Sequence, residues 1–446
     1  MTKFIAIFTA IAACFMQPVI ASREIPRGSL IRDAETEQFI NKYLEKILRA
    51  ADLDPSQVRL YLLMDNTVNA LATSDHKIIV FTGLIEAADD VGELMGVLAH
   101  ETGHIAGGHH VKLQGALDSL KVPMIASVLL GGLAGVAAGR SDVAAGATLG
   151  AAEIGRRAIL SHTRAHESSA DQAAVKYLKS VGWSSDGLIK FMELLHSQSL
   201  GTVYDLDTYV MTHPALTERL EFFRNQTATQ ANPSKPYPKK MQQEYDRVRA
   251  KIIAYSTPPG RLANHYQPSD NSTPARYARA IADHRSHNYD QALAAMDKLI
   301  AENPNDPFFH EFRGQILFET GRIPEAVASY KQAVKLAAKK DILRIILAGA
   351  VLEQGTPSAS KEAIETLQKV GKRERESPLY WRLMATAYGR DGQEGMAALM
   401  VAEQLQRSGQ ERRAKNMAEQ ALQKLPATQQ EARQRADDIL HDIAVG

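Results

Sequence analysis

Residues 97–106 read Val-Leu-Ala-His-Glu-Thr-Gly-His-Ile-Ala, and the pair His100 and His104 constrains the fold more than any other feature of the chain. Two imidazoles four residues apart share a face only if the backbone is helical, where they stand one turn apart and can hold a single metal ion. The approach to the motif supports a helix, with Asp89 and Asp90 at its start and Val91, Leu94, Met95 and Leu98 at helical spacing. Glu101 then lies beside the metal. Zinc held by neutral imidazoles lowers the pKa of its water to about 7, and a neighbouring carboxylate can take that proton and pass it to a leaving amine. The pattern points to peptide-bond hydrolysis, against the plain alternative of a helix carrying two of the chain's 14 histidines.

Two histidines leave a catalytic zinc site incomplete, because a third protein ligand must be found and the fourth position left to water. The chain offers two candidates. Reading on gives His-Glu-x-x-His-x-x-Gly-x-x-His, with Gly107 and His110 where a metzincin needs them. The rival is Glu167, within Thr163-Arg164-Ala165-His166-Glu167-Ser168-Ser169-Ala170-Asp171 on a second expected helix. Glu167 and Asp171 share a helix face, so one carboxylate could bind the metal while the other fixes His100 through a hydrogen bond.

At 446 residues the chain can form two or three domains, and a net charge of +1 from 52 basic and 51 acidic residues gives no sign of a nucleic-acid partner. Residues 1–21 have the form of a secretory signal peptide: a basic start at Lys3, an apolar run from Phe4 to Met16, and a cleavage site near Ala21. Ile11-Ala12-Ala13-Cys14 also resembles a lipoprotein box, which makes acylation of Cys14 the lesser alternative. Cys14 is the only cysteine, so after conventional cleavage the protein relies on packed cores without disulfides.

Ile25 to about Arg59 reads as amphipathic helix, followed by β-like stretches at Arg59 to Met64 and Lys77 to Thr82. An edge strand of such a sheet can align a substrate backbone, and Asn69-Ala70 or the Lys77 strand are the candidates. Val122 to Gly139 contains no charge and is rich in glycine; it is a candidate for membrane contact, a covering flap or a buried hairpin. Further helices are expected at Asp171 to Val181, Leu188 to Leu195, Thr217 to Phe223 and Met241 to Ile253, with a linker from Ser256 to Asn271.

Beyond the linker the sequence repeats at a shift of 34: Ala292 with Ala326, Leu293 with Val327, Met296 with Tyr330, Leu299 with Ala333, and Ala363 with Ala397. That is the period of tetratricopeptide repeats, two helices per unit, with four or five units expected between about 274 and 446. The charged run Lys372 to Glu376 is expected on a solvated face.

Together, Asn69-Ala70, Val97 to His104, Arg164-x-x-Glu167-x-x-Ala170-Asp171, Thr212-His213-Pro214 with Arg219, and the C-terminal repeats resemble the HtpX-like and CAAX-prenyl-protease-like gluzincins over nearly the whole chain after residue 21. The resemblance implies a mostly α fold with a small β-sheet: an α+β gluzincin-type metalloprotease domain over 22–265, followed by an α-solenoid of tetratricopeptide repeats over 266–446. It implies that His100, His104 and Glu167 bind one zinc per chain, that Glu101 is the general base, and that Asp171 steadies a ligand. His109 and His110 are then helix-end residues. His-Pro in a loop is ordinarily a turn, but the resemblance implies that His213 can reach the zinc and hold the protease latent.

The function so implied is an exported, periplasmic zinc metalloendopeptidase in quality control of outer-membrane β-barrel proteins. It would hydrolyse misassembled clients, with its repeats contacting clients or the β-barrel assembly machinery. Two alternatives are a largely latent protease acting as a repeat-based chaperone, and a membrane-anchored protease of inner-membrane proteins that uses Val122 to Gly139 as its span.

Overall fold

The computed structural model describes residues 28–112, 163–198, 213, 215–228, 236–338 and 340–445. They fall into two compact units that divide in sequence between Arg261 and Leu262. The leader with Cys14, and the apolar stretch Val122 to Gly139, lie outside the described residues. Among the described residues no helix is long and apolar enough to cross a membrane.

The N-terminal unit is built on a four-stranded sheet of order β1-β2-β4-β3, comprising β1 (Ser29–Ile31), β2 (Arg59–Met64), β3 (Ala70–Ala72) and β4 (Lys77–Phe81). β2 and β4 run parallel, while β1 and β3 pair antiparallel on the outside. Leu60, Leu62, Ile78 and Val80 alternate into the core, as a half-buried sheet requires. One expectation changes here: the helix read from Ile25 begins only at Ala34, because Ser29–Ile31 is taken up by pairing with β2. Asp33 then caps α1 (Ala34–Ala50) by accepting from the Thr36 amide at 2.7 Å. The stripe Phe39, Ile40, Tyr43, Leu44, Ile47 and Leu48 is buried against the sheet and the helices behind it.

Thr82 starts the short α2 (Thr82–Ala87) rather than ending β4, and α3 (Val91–Gly107) follows with Asp90 and Glu93 forming a capping box. Every residue of α3 from Val91 to Ile105 is buried, which makes it the central helix of the unit. Around it stand α4, described over 163–180, α5 (Asp186–Gln198), α6 (Leu216–Ala228) and α7 (Lys239–Ser256). The last clamps α2: the Tyr245 hydroxyl lies 2.7 Å from Ala88 O and 3.0 Å from Ile85 O, and Arg249 donates to Glu86 O. A six-residue helix could not otherwise satisfy its terminal carbonyls in a buried position.

The C-terminal unit pairs α8 (Thr273–Arg285) with α9 (Tyr289–Glu302), α10 (Pro307–Glu319) with α11 (Ile323–Leu336), and α12 (Asp341–Leu352) with α13 (Pro357–Gln368). Two more pairs follow, α14 (Pro378–Arg390) with α15 (Glu394–Arg407) and α16 (Glu411–Lys424) with α17 (Gln430–Val445). The first four residue pairs read at the 34-residue shift are buried throughout. Ala363 and Ala397 are not equivalent, however: Ala363 is buried and Ala397 only half-buried. The fourth pair starts three residues late because a 3-10 turn, Glu374–Glu376, is inserted before it. Arg375, from the run expected to be merely solvated, donates from that turn to Gln368 O and Val370 O at 2.8 Å each, closing the end of α13.

Burial pushes the Glu86 carboxyl up to about 7, with Ser256 and Arg249 offsetting part of the shift. A carboxyl raised in the folded state contributes stability below its usual 4.5, and that contribution is lost as pH climbs through 7. Glu86→Gln should therefore gain on the parent protein by about 3 kcal/mol between pH 4.5 and pH 8 in denaturant unfolding. A pH-independent difference between the two would reject this.

Candidate metal centre

Four buried side chains from three elements converge: His100 and His104 from α3, Glu167 from α4, and His213 from the segment before α6. Their nearest nitrogen and oxygen atoms all lie within 4.8 Å of one another. His104 Nε2 is 3.0 Å from His100 Nε2 and 3.3 Å from Glu167 Oε1, and His100 Nε2 is 3.3 Å from Glu167 Oε2. His213 enters through Nδ1, at 3.4 Å from His100 Nε2 and 3.1 Å from Glu167 Oε2. Ligands at 2.0–2.2 Å around a tetrahedral zinc stand about 3.3 Å apart. The observed separations fit that figure, and the donor set of imidazoles and one carboxylate suits zinc.

The close approach of α4 to α3 makes this possible. A Cβ on Gly103 would lie 3.0 Å from both Cα and O of Ala170, so the two backbones meet where the motif carries glycine. Glu167, three residues before that contact, and Asp171, the residue directly after it, face the motif histidines. Asp171 Oδ1 stands 2.8 Å from His100 Nδ1, and its two oxygens receive Arg219 Nε and Nη2 at 2.8 Å each. Arg219 Nη1 reaches Glu167 Oε2 at 3.1 Å. Asp171 thereby holds His100 so that Nε2 points into the cluster, while Arg219 ties both carboxylates to α6.

These buried charges shift one another. Burial opposes ionisation of Glu167, but hydrogen bonds from His100, His104 and His213 outweigh it and hold the carboxyl far below the usual range. Asp171 is likewise lowered against its burial, chiefly by Arg219 and His100. Burial and Arg219 push His100 down, yet Asp171 and Glu167 carry it up to about 9. Burial takes His104 down to about 3, which keeps it neutral. Two ionised carboxylates and the neutral His104 make a centre suited to a divalent cation, whose binding would displace the proton that His100 otherwise carries.

Glu101 lies on the side of the cluster nearer the sheet. Its Oε2 accepts the Ala72 amide at 2.7 Å. Its Oε1 is buried with no hydrogen-bond partner among the described residues, 3.6 Å from His213 Nε2. Burial pushes this carboxyl up, with His213 and His100 pulling the other way. β3 is an outer strand of the sheet. Asn69 O and Thr73 N pair with β4, so Ala72 turns its amide to the opposite side, and Ala70 faces the same way two residues earlier.

His110 is not part of the group. It sits beyond the end of α3, in the helical residues 109–112, its ring centre 5.9 Å from that of His104. The sequence reading assigned no task to Arg219 and left His109 as a helix-end residue, although His109 Nδ1 lies 3.0 Å from His104 Nδ1. Neither follows the helical spacing of the motif, so each was visible only as a residue type near one.

Comparison with known proteins matches residues 34–227 to peptidase family M48 and residues 277–341 to a tetratricopeptide repeat. A beta-barrel assembly-enhancing protease of Yersinia pestis is 25% identical over 394 residues, covering 85% of this chain and 78% of the relative. The protein of the same name from Escherichia coli K12 is 24% identical over 374 residues, covering 81% and 74%. The metalloprotease YcaL of Escherichia coli K12 is 30% identical over 191 residues, covering 42% of this chain and 70% of the relative.

If the glycine contact sets the ligand geometry, Gly103→Val should weaken zinc binding at least about tenfold while leaving the helical circular dichroism intact. Competition with a chromophoric chelator measures this. Unchanged affinity would mean that α4 can retreat without carrying Glu167 away.

Proposed function

The chain belongs to peptidase family M48 and is a zinc metalloprotease with tetratricopeptide repeats; from that premise we propose that it is an exported endopeptidase of misassembled outer-membrane β-barrel proteins. In this reading His100, His104 and Glu167 hold the zinc. When bound there, zinc would polarise the scissile carbonyl and lower the pKa of the attacking water. Glu101 Oε1 takes a proton from that water as its oxygen adds to the carbonyl carbon. The same carboxyl returns the proton to the amide nitrogen as the C–N bond breaks. The Ala72 amide holds Glu101 in register, and the outward edge of β3 at Ala70, next to Asn69, lines up the substrate backbone as an added strand. Asp171 keeps His100 in the ligating tautomer.

The observation that carries this reading is the mutual spacing of the four donor atoms beside a Glu101 oxygen that has no hydrogen-bond partner among the described residues. The names of the relatives supply the client class, and the repeats supply a surface for binding clients or the β-barrel assembly machinery. The apolar leader ending near Ala21 supports export to the periplasm, and we assign residues 22–265 to the protease and 266–446 to the repeats.

A second reading is favoured by His213. With Nδ1 beside the ligands and Nε2 toward Glu101, its ring lies where water and a substrate carbonyl would enter. We propose that it acts as a plug, so that the protein rests as a latent protease and works in the meantime as a repeat-based chaperone.

Glu101→Gln should lower cleavage of an unfolded outer-membrane protein by about 100-fold or more while still binding one zinc. Retained cleavage would remove Glu101 as the base, and full function of this variant in cells would favour the chaperone reading. His213→Ala should raise cleavage about tenfold or more if the plug must leave before substrate enters; an unchanged rate would end the latency proposal.

A further inference from the structure

Each motif histidine turns Nε2 toward the ligand cluster and is held by its other nitrogen. For His100 the partner is Asp171. We propose that His109 does the same for His104: its Nδ1 accepts a hydrogen bond from His104 Nδ1–H, fixing the tautomer and ring plane that present His104 Nε2 to zinc. His109 is thus a positioning residue, and the proposal rests on the zinc reading above.

The proton assignment follows from the distances. Two ring nitrogens 3.0 Å apart form a hydrogen bond only when one carries hydrogen and the other a lone pair. His104 Nε2 faces His100 Nε2 at 3.0 Å and Glu167 Oε1 at 3.3 Å, so as a ligand it keeps its lone pair. A neutral His104 then bears its proton on Nδ1, and His109 Nδ1 must accept.

The chain is built to make this contact. Gly108, at φ 60, ends α3 in the left-handed conformation and turns the backbone so that His109 folds back over the helix end. A Cβ on Gly107 would lie 2.3 Å from His109 Nε2, so only glycine leaves room for the ring. His109 is buried, and its ring stacks on His166 at 4.4 Å between centres and 5° between planes. It is therefore held between the end of α3 and the helix that carries Glu167. The glycine that completed a metzincin-like spacing serves His109, and the histidine after it is no ligand. A neutral acceptor also has an electrostatic advantage. A carboxylate there would add a third negative charge to Glu167 and Asp171, which Arg219 alone already bridges.

The test compares His109→Asn, whose side-chain oxygen can stand where Nδ1 stands, with His109→Leu, which fills the space without an acceptor. Zinc affinity of the full-length proteins is read by chelator competition. His109→Leu should bind about 10–100-fold more weakly than the parent, and His109→Asn within about threefold of it. Parent-like affinity in His109→Leu overturns the proposal, as do equal losses in both variants, which would mark packing rather than hydrogen bonding. Should His109→Leu fail to fold, long-range 1H–15N correlation of the histidines in the zinc-loaded parent reads the protons directly. The expected result is a proton on His104 Nδ1 and none on His109 Nδ1; the reverse overturns it. A parent protein that takes up no zinc would instead sink the metal reading itself.

Discussion

The metal centre depends on one backbone contact, Gly103 against Ala170. Helices normally pack 8–10 Å apart because side chains separate them. Removing the side chain at the contact lets α4 settle closer to α3, which brings Glu167 and Asp171 to the motif histidines. The glycine is inside the motif, so the histidines proposed to bind and the residue that lets the carboxylates approach them are placed by the same stretch of helix.

Bringing two carboxylates into a dry interior is costly unless each is matched by positive charge and hydrogen bonds. Here the match is made by Arg219 from α6 and by imidazoles from α3 and the segment before α6. α4 is therefore tied electrostatically to α3, to α6 and to the segment before α6 at the point where the cation is proposed to bind. The proposed base is treated differently: Glu101 receives one amide from β3, and its second oxygen is left toward the cluster. Because that amide belongs to the strand edge proposed to align substrate, base and substrate would share one reference frame.

The repeat unit follows a different physics. Each helix pair buries its apolar stripe against its neighbours, so order is local and tolerates changes in step. The 3-10 turn at Glu374–Glu376 lengthens the step by three residues, and the array continues because Arg375 takes over the open carbonyls of α13. The protease unit has no such tolerance, since its site is assembled from residues more than 100 positions apart, such as His100 and His213.

By itself the sequence determined whatever depends on neighbours along the chain. The His100–Glu101–His104 helix with its acidic start, the β-like runs of β2 and β4 and the period of the first repeats were legible because helix, strand and repeat signals lie within short stretches of chain. It left Glu167 and His110 as competing ligands on spacing alone, and only resemblance to a family chose between them. The tertiary structure decided what sequence separation hides: that Ser29–Ile31 pairs as a strand, that Arg219 bridges two carboxylates, that His213 turns Nδ1 toward the cluster, and that His109 folds back on His104. Each of these depends on where separate elements meet, and that is set by packing and desolvation in three dimensions, which no period along the chain records.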